Sequence, residues 1–379
     1  EVIERAVDVT TEKTGTARMV MGRIDGEWGV MGPPASIGAL RDRGVRAIAE
    51  TEGYVYIIGD FVDFDGAGQD LIVRYNKITG AWDTPYATAP PLLAYLNCAL
   101  VLPDGRLVIG GNFTDIDTVF VSNIAVYDED TSTWDMFGDG LQPNVPMDLQ
   151  IDVLNGDIYA AVGIERLKRL PYPYTTWEDF GAVAGGALDK IAFVGTSSTR
   201  GKWLYGGSSS GIGGGLYRMN VYNTAPAWEQ ISGPTSITAL AGTETEIYTG
   251  SSGVQGFGIV YNAGGQDPVY DSLAYTDDLV RSIAYDPLTN YIYITGAFTK
   301  LAYLENLRAC ARFKGGIFYP MEITLPLEPP TDLVSWSFHV GIDQSVSIGP
   351  VYPWLPPRPV RDNVNLYIGF NTVGTAIWP

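Results

Sequence analysis

The stretch "GDFVDFDGAGQDLIV" from Gly59 gathers Asp63, Asp65 and Asp70 in a glycine-rich turn. Carboxylates this close on a flexible loop form the oxygen-rich setting that suits Ca2+. The frame is imperfect, because Gly66 and Ala67 stand where further carboxylates belong. A sister stretch from Phe113 to Asp117 has acids but no glycine frame. An ordinary strand-connecting turn is the preferred reading, so no cofactor is expected; Ca2+ at Asp63, Asp65 and Asp70 is the alternative. The single histidine, His339, lies in the apolar run "SFHVG" and reads as an interior or channel-wall residue. Transition-metal sites want several His or Cys, which the chain lacks. Its two cysteines, Cys98 and Cys310, sit in separate strand-like runs and are expected to be two buried thiols. "GSSSGIGGG", Gly207 to Gly215, has the glycines of a nucleotide loop but no helix after it, and reads as a flexible loop. "RLPYPYTT", Arg169 to Thr176, reads as a structural loop, with an exposed aromatic binding patch as the alternative. No phosphate-binding Gly-Lys-Ser/Thr and no Gly-x-Ser-x-Gly elbow occurs. No catalytic, cofactor-binding or metal residue is assigned, and the chain is not expected to be an enzyme.

The elements that position these residues follow from composition and repetition. The 379 residues include 45 Gly, 23 Tyr and 9 Trp, with only 18% charged residues. Glycine-rich turns between aromatic and β-branched runs indicate strands. A net charge of −19 opposes nucleic-acid binding through phosphates and opposes anionic membranes. No apolar run approaches the ~20 residues of a membrane-spanning helix. The chain begins at Glu1 rather than Met, so a preceding segment is expected to have been removed.

A strand ending in Gly, then a strand, a turn and Trp, recurs along the chain. "RLVIGGNFTDIDTVFVSNIAVYDEDTSTWDMFG" from Arg106 is the clearest copy, and "YVYIIGDFVDFDG" and "YIYITGAFTKLAY" repeat its first half. The aromatic position recurs as Trp28, Trp82, Trp134, Trp177, Trp228, Tyr270 and Phe318, at steps of 42 to 54 residues. That is the period of a four-stranded propeller blade. Each blade then has strands a to d from the axis outward, with an apolar run as a and the aromatic opening d. The aromatics are expected to fill the space between blades. Gly after strand b is expected to pass closely under that ring or to take positive φ. The first c–d half lacks an a–b half, and "DLVSWSFHVGIDQSVSIGP" from Asp332 lacks a c–d half. The expectation is all-β: a seven-bladed β-propeller of four-stranded antiparallel blades. The ring is closed by N-terminal strands near 16–31 pairing with the last blade near 333–349. The domain reading is a 1–14 extension, a 15–350 propeller, and a 351–379 Pro-rich linker with a strand extension.

The Gly-Gly-x-Phe-Thr, Asn-Ile-Ala-x-Tyr-Asp and Thr-x-Trp elements between Gly110 and Trp134 resemble repeats in propellers of surface and secreted proteins and of some phage tail-associated proteins. They are distantly similar to kelch-type blades. The resemblance spans about 15–350 and implies architecture more than activity. The end, "YIGFNTVGTAIWP", resembles the opening of β-sandwich domains in phage tail proteins, which implies a domain continuing past Pro379 or completed by a partner. The repeated Ser-x-Asp-x-Gly-x-Thr-Trp boxes of sialidase-type propellers are absent. The leading expectation is a non-enzymatic structural or adhesive module of a phage tail, other virion part or cell-surface assembly. Its partners would be other subunits, met through the N- and C-terminal extensions, and its location extracellular or on the virion surface. A secreted glycan-binding propeller is the alternative, and a glycan hydrolase or lyase with acids in the central funnel is third.

Overall fold

The computed structural model describes residues 16–23, 28–36, 45–59, 71–87, 94–195, 203–209, 214–287, 289–305, 307, 310–321, 333–342 and 364–372. Strands β1 (Thr16–Arg23) and β2 (Trp28–Ser36) open the described chain. Blade 1 follows as β3 (Val45–Glu50), β4 (Tyr54–Gly59), β5 (Ile72–Asn76) and β6 (Trp82–Asp83). Blade 2 has β7 (Tyr95–Val101) and β8 (Leu107–Asn112), a small inserted hairpin of β9 (Asp115–Ile116) and β10 (Val119–Phe120), then β11 (Ile124–Asp128) and β12 (Thr133–Met136). Blade 3 is β13 (Asp148–Ile151), β14 (Ile158–Ala161), β15 (Gly163–Leu170) and β16 (Glu178–Leu188). Blade 4 is β17 (Lys190–Val194), β18 (Trp203–Ser208), β19 (Gly215–Asn220) and β20 (Glu229–Ile231). Blade 5 is β21 (Ala239–Gly242), β22 (Ile247–Gly250), β23 (Gly253–Tyr261) and β24 (Val269–Thr276). Blade 6 is β25 (Val280–Asp286), β26 (Tyr291–Gly296), β27 (Cys310–Lys314) and β28 (Ile317–Pro320). Strands β29 (Leu333–Ile342) and β30 (Val364–Thr372) come last.

The described residues contain strands and no helix, and each blade is a four-stranded antiparallel sheet. The fold is a β-propeller. The expected count of seven is corrected to six blades built from four successive sheet strands. The remaining strands form a sheet of a different kind, ordered β2-β1-β30-β29, which joins the two ends of the chain. Here too the sequence reading is corrected. The C-terminal strand near 333–342 does not pair directly with the N-terminal strands, because β30 lies between them. Val20 stands opposite Ile368 on one side of β30, and Phe338 stands opposite Ile368 on the other. The segment read as the start of a separate domain therefore supplies a middle strand.

The apolar core is divided among the seams between blades. Tyr56, Ile58 and Ile72 of blade 1 cluster with Leu96, Ile109 and Trp134 of blade 2. Cys98, Val108 and Ile124 of blade 2 meet Leu149, Ile158 and Trp177 of blade 3. The seams of blades 3/4, 4/5 and 5/6 are filled in the same way. Each fully buried aliphatic or aromatic side chain contributes roughly 1.5–3 kcal/mol, so most of the burial that stabilises a blade is made against its neighbour. Cys98 and Cys310 are free, buried thiols in different blades, as expected.

The strand-b glycines have a reason that the sequence reading did not reach. A Cβ on Gly110 would come within 2.7 Å of Pro146, and one on Gly250 within 2.6 Å of Val280. A Cβ on Gly207 would overlap Ile237. Pro146, Ile237 and Val280 all stand at the start of the next blade's inner strand. The glycine is a notch into which the neighbouring blade seats its first apolar residue, and its backbone has ordinary negative φ. Gly206 does lie under the Trp228 ring, as expected. Gly250→Ala should therefore lower stability by about 1–3 kcal/mol through overpacking. Gly264→Ala, whose Cβ would meet only Val194 at 3.7 Å, should be neutral or slightly stabilising. Urea denaturation of the two variants checks the difference.

Candidate functional site

The ends of the blades that carry the a–b and c–d turns gather rows of aromatic and ionisable side chains. Their placement follows from strand register. Tyr56 on strand b stands opposite Arg74 on c, which stands opposite Asp83 on d. Tyr159, Arg169 and Glu178 repeat the row in blade 3, and Tyr205, Arg218 and Glu229 repeat it in blade 4. Blade 6 has Tyr293, Arg312 and Tyr319. Side chains opposite each other on one sheet face are neighbours, so each arginine lies between a phenol and an acid or a second phenol.

In blade 1 the pairing is two-pronged: Arg74 Nε donates to Asp83 Oδ1 at 2.6 Å and Nη2 to Oδ2 at 3.0 Å. The guanidinium also lies 4.3 Å from the centre of the Tyr54 ring. Burial alone would lower the Arg74 pKa, but the Asp83 and tyrosine contacts outweigh it and hold the group charged. Arg218, 4% exposed, pairs with Glu229 and stacks on Trp203 at 4.1 Å. Arg169 is shared between Asp157 at 2.8 Å and Glu178 at 3.2 Å.

The rows also latch one blade to the next. Tyr56 donates to Glu129 of blade 2 at 2.8 Å, Thr51 donates to the same carboxylate, and Arg74 Nη1 reaches the Tyr127 hydroxyl at 3.0 Å. Tyr222 of blade 4 donates to Asp152 of blade 3 at 2.6 Å. Tyr205 donates to the Ala263 carbonyl at 2.8 Å, and Arg218 donates to the carbonyls of Gly265 and Gln266 at 2.7 and 2.8 Å. Nearer the axis, Asn97 donates to Pro146 at 3.0 Å, Ile191 N–H donates to Asp148 at 3.0 Å, and Thr238 donates to the Val280 carbonyl.

The aromatics singled out in the sequence occupy the outer part of the seams. The indole N–H of Trp134 donates to Pro85 of the preceding blade at 2.6 Å, that of Trp177 to Phe137 at 3.1 Å, and that of Trp228 to Gly181 at 3.1 Å. Tyr270 packs on Gly233, and Phe318 packs against Phe313 and Phe257 with centroids 4.8 and 5.7 Å away. Trp82 is half-buried and lies 5.1 Å from Tyr75. Trp28 opens β2 opposite Gly22. His339 faces Tyr367 in the backbone register of β29 and β30. Asp63, Asp65 and Asp70 lie outside the described residues. In the sister loop, the Asp115 carboxylate accepts from Thr114 and that of Asp117 from the Ala87 N–H at 3.0 Å, as in a structural turn. Ser208 and Ser209, from the glycine-rich stretch, bond Asp189.

The chemistry this favours is electrostatic cohesion. Burial pushes Tyr205 up to about 12, partly offset by Arg218. Burial and Glu129 both raise Tyr56. Phenols held this far from ionisation are poor nucleophiles. No cluster of three or more His, Cys, Asp or Glu able to hold a metal occurs among the described residues. Sequence reading missed the rows, although the signal was present: Tyr recurs three residues into strand b in "YVYIIG", "WLYGGS" and "YIYITG", and Arg recurs in "IVRYN", "LYRMN" and "CARFK".

Comparison with known proteins adds little. No protein-family profile matches the chain, and no curated protein matches it. Among solved structures it is similar to a gluconolactonase from Xanthomonas campestris, at 13% identity over 67% of this chain and 82% of that one, with a TM-score of 0.44. It is also similar to U3-55K, at 11% identity over 70% and 94%, TM-score 0.40. A third similarity is to the WD40 repeats of RRP9, at 12% identity over 70% and 93%, TM-score 0.41.

Asp152 gives a pH test of the latches. It is 2% exposed, and burial raises its pKa above the ordinary 3.8 despite the Tyr222 and Leu154 bonds. A carboxyl whose folded pKa lies above its unfolded value costs stability once the unfolded form ionises, and costs nothing when both forms are protonated. Asp152→Asn should therefore raise the melting temperature at pH 7, and the gain should shrink as pH falls below about 4. Thermal melts of both proteins from pH 3 to 8 check this; a gain independent of pH would contradict it.

Proposed function

We propose that the chain is a non-enzymatic structural or adhesive propeller module of a surface assembly, with a phage tail or other virion particle first. The observation that carries this reading is the use of the ionisable groups at the turn-bearing ends of the blades. Arg74, Arg169, Arg218, Asp152, Asp157 and Glu129 are held in seam and row bonds, which makes a stiff disc and leaves no poised acid–base pair among them. The repeat resemblance to surface and tail-associated propellers supports the setting. The charge of −19 supports protein rather than nucleic-acid partners.

The end-joining sheet belongs to the same reading. Its β29 lies against β25 of blade 6 and β3 of blade 1. We propose that it closes the ring, so that both ends of the chain leave from one sector and meet other subunits there. Cysteines placed at Val20 and Ile368, partners in register, should form an intramolecular disulfide in the folded monomer. Failure to cross-link under oxidation while the blades stay folded would sink the closure.

The assembly itself is tested by fractionating native material on a density gradient. The chain should sediment with high-mass particles and be labelled on their surface by antibody. Recovery as a free monomer that turns over polysaccharide would overturn the reading in favour of a glycan hydrolase or lyase.

A further inference from the structure

Across the seam between blades 2 and 3, the c–d turn of blade 3 donates from the Trp177 N–H to Asp139 at 2.8 Å and also presents Tyr174. Its hydroxyl is shielded from solvent and has no hydrogen-bond partner among the described residues. Tyr174 is held at φ 70°, a left-handed conformation that is costly for a bulky residue and that tends to persist where surrounding structure enforces it. Its ring packs on Phe137 at 5.2 Å and meets Tyr172 nearly at right angles, 86° with centroids 5.4 Å apart.

Tyr172 is 46% exposed, so the two rings form an aromatic corner open to solvent on one side. Pro173, Thr175 and Thr176 beside it are exposed. Asp104 and Arg106 on the blade 2 turn act electrostatically on the Tyr174 hydroxyl, as does Asp157. Their side chains are 39% and 35% exposed and fixed to each other, with Arg106 Nε and Nη2 donating to Asp104 Oδ2 at 2.9 and 2.7 Å.

A ring face offers a flat apolar platform to the C–H face of a sugar. A carboxylate and guanidinium fixed to each other on the a–b turn of blade 2 offer an acceptor and donors to hydroxyls. The large negative charge of the chain disfavours anionic sugars. We propose that the Tyr172–Tyr174 corner with Asp104 and Arg106 binds a neutral saccharide unit. The proposal rests on the adhesive form of the proposed function and names the chemistry of the adhesion.

The test uses the full chain against immobilised neutral oligomers of glucose, galactose and N-acetylglucosamine, with sialylated counterparts beside them. Saturable binding to a neutral oligomer is expected, weakened at least about tenfold by Tyr172→Ala. Tyr275→Ala, an exposed tyrosine on blade 5, should bind as the parent does. All variants should keep the parent melting temperature. Tyr174→Phe keeps the packed ring face and removes only the shielded hydroxyl, so it should fold and bind as the parent does. No saturable binding to any neutral oligomer, full binding by Tyr172→Ala, or preference for the sialylated sugars would overturn the proposal. Failure here with particle association intact refutes the saccharide site alone, whereas binding without particle association refutes the assembly role alone.

Discussion

Adjacent blades of this protein share no continuous backbone ladder, so apart from single main-chain bonds, such as Ile237 N–H to Ser208 and Val280 N–H to Ser251, what holds one to the next crosses through side chains. Ladder pairing within each four-stranded sheet ends at strands a and d, and only isolated main-chain contacts, such as the Thr276–Leu301 bridge, pass beyond them. The seam must therefore combine close apolar packing with side chain-to-backbone bonds, because buried polar groups left unpaired would cost more than the packing returns. The glycine notches at Gly110, Gly207 and Gly250 let the next blade approach closely enough to pack. The bonds of Asn97, Asp148, Thr238, Tyr205 and Arg218 then satisfy polar groups that this closeness would otherwise strand.

The periodic part of this solution was legible in the sequence because the same physical problem recurs once per blade. The aromatic at the start of strand d and the glycine at the end of strand b mark the seam from its two sides. Their spacing identified four-stranded antiparallel blades. What the sequence reading got wrong lay where the period is interrupted. "NLYIGFNT" has the look of a strand b, an aromatic and aliphatic run reaching Gly369, but a Pro-rich stretch separates it from Leu333–Ile342. Chain proximity favoured the nearer residues up to 349 as the partner strand, whereas β30 is the partner of both β1 and β29. The blade count went astray at the same place.

The Tyr–Arg–acid rows were hidden for another reason. Each is spread over three strands, so its members lie 7 to 27 residues apart and become neighbours only through register. A search for motifs along the chain finds clustered acids such as Asp63 and Asp65, and passes over acids whose partners come from the next strand. Within the rows, the ionisable groups are the ones that hold the seams. At the turns the seam is latched differently from one pair of blades to the next.

The central claim is that the seams couple the blades into one cooperative unit. Native-state hydrogen exchange measures this most directly, because it reports opening free energies strand by strand. Amides of the inner strands, Ile191 and Val280 among them, should exchange only with global opening, at similar free energies in blades 2 to 6. Exchange of one blade's inner strand at a much lower free energy than the rest would show that the blades open independently, and would contradict the account.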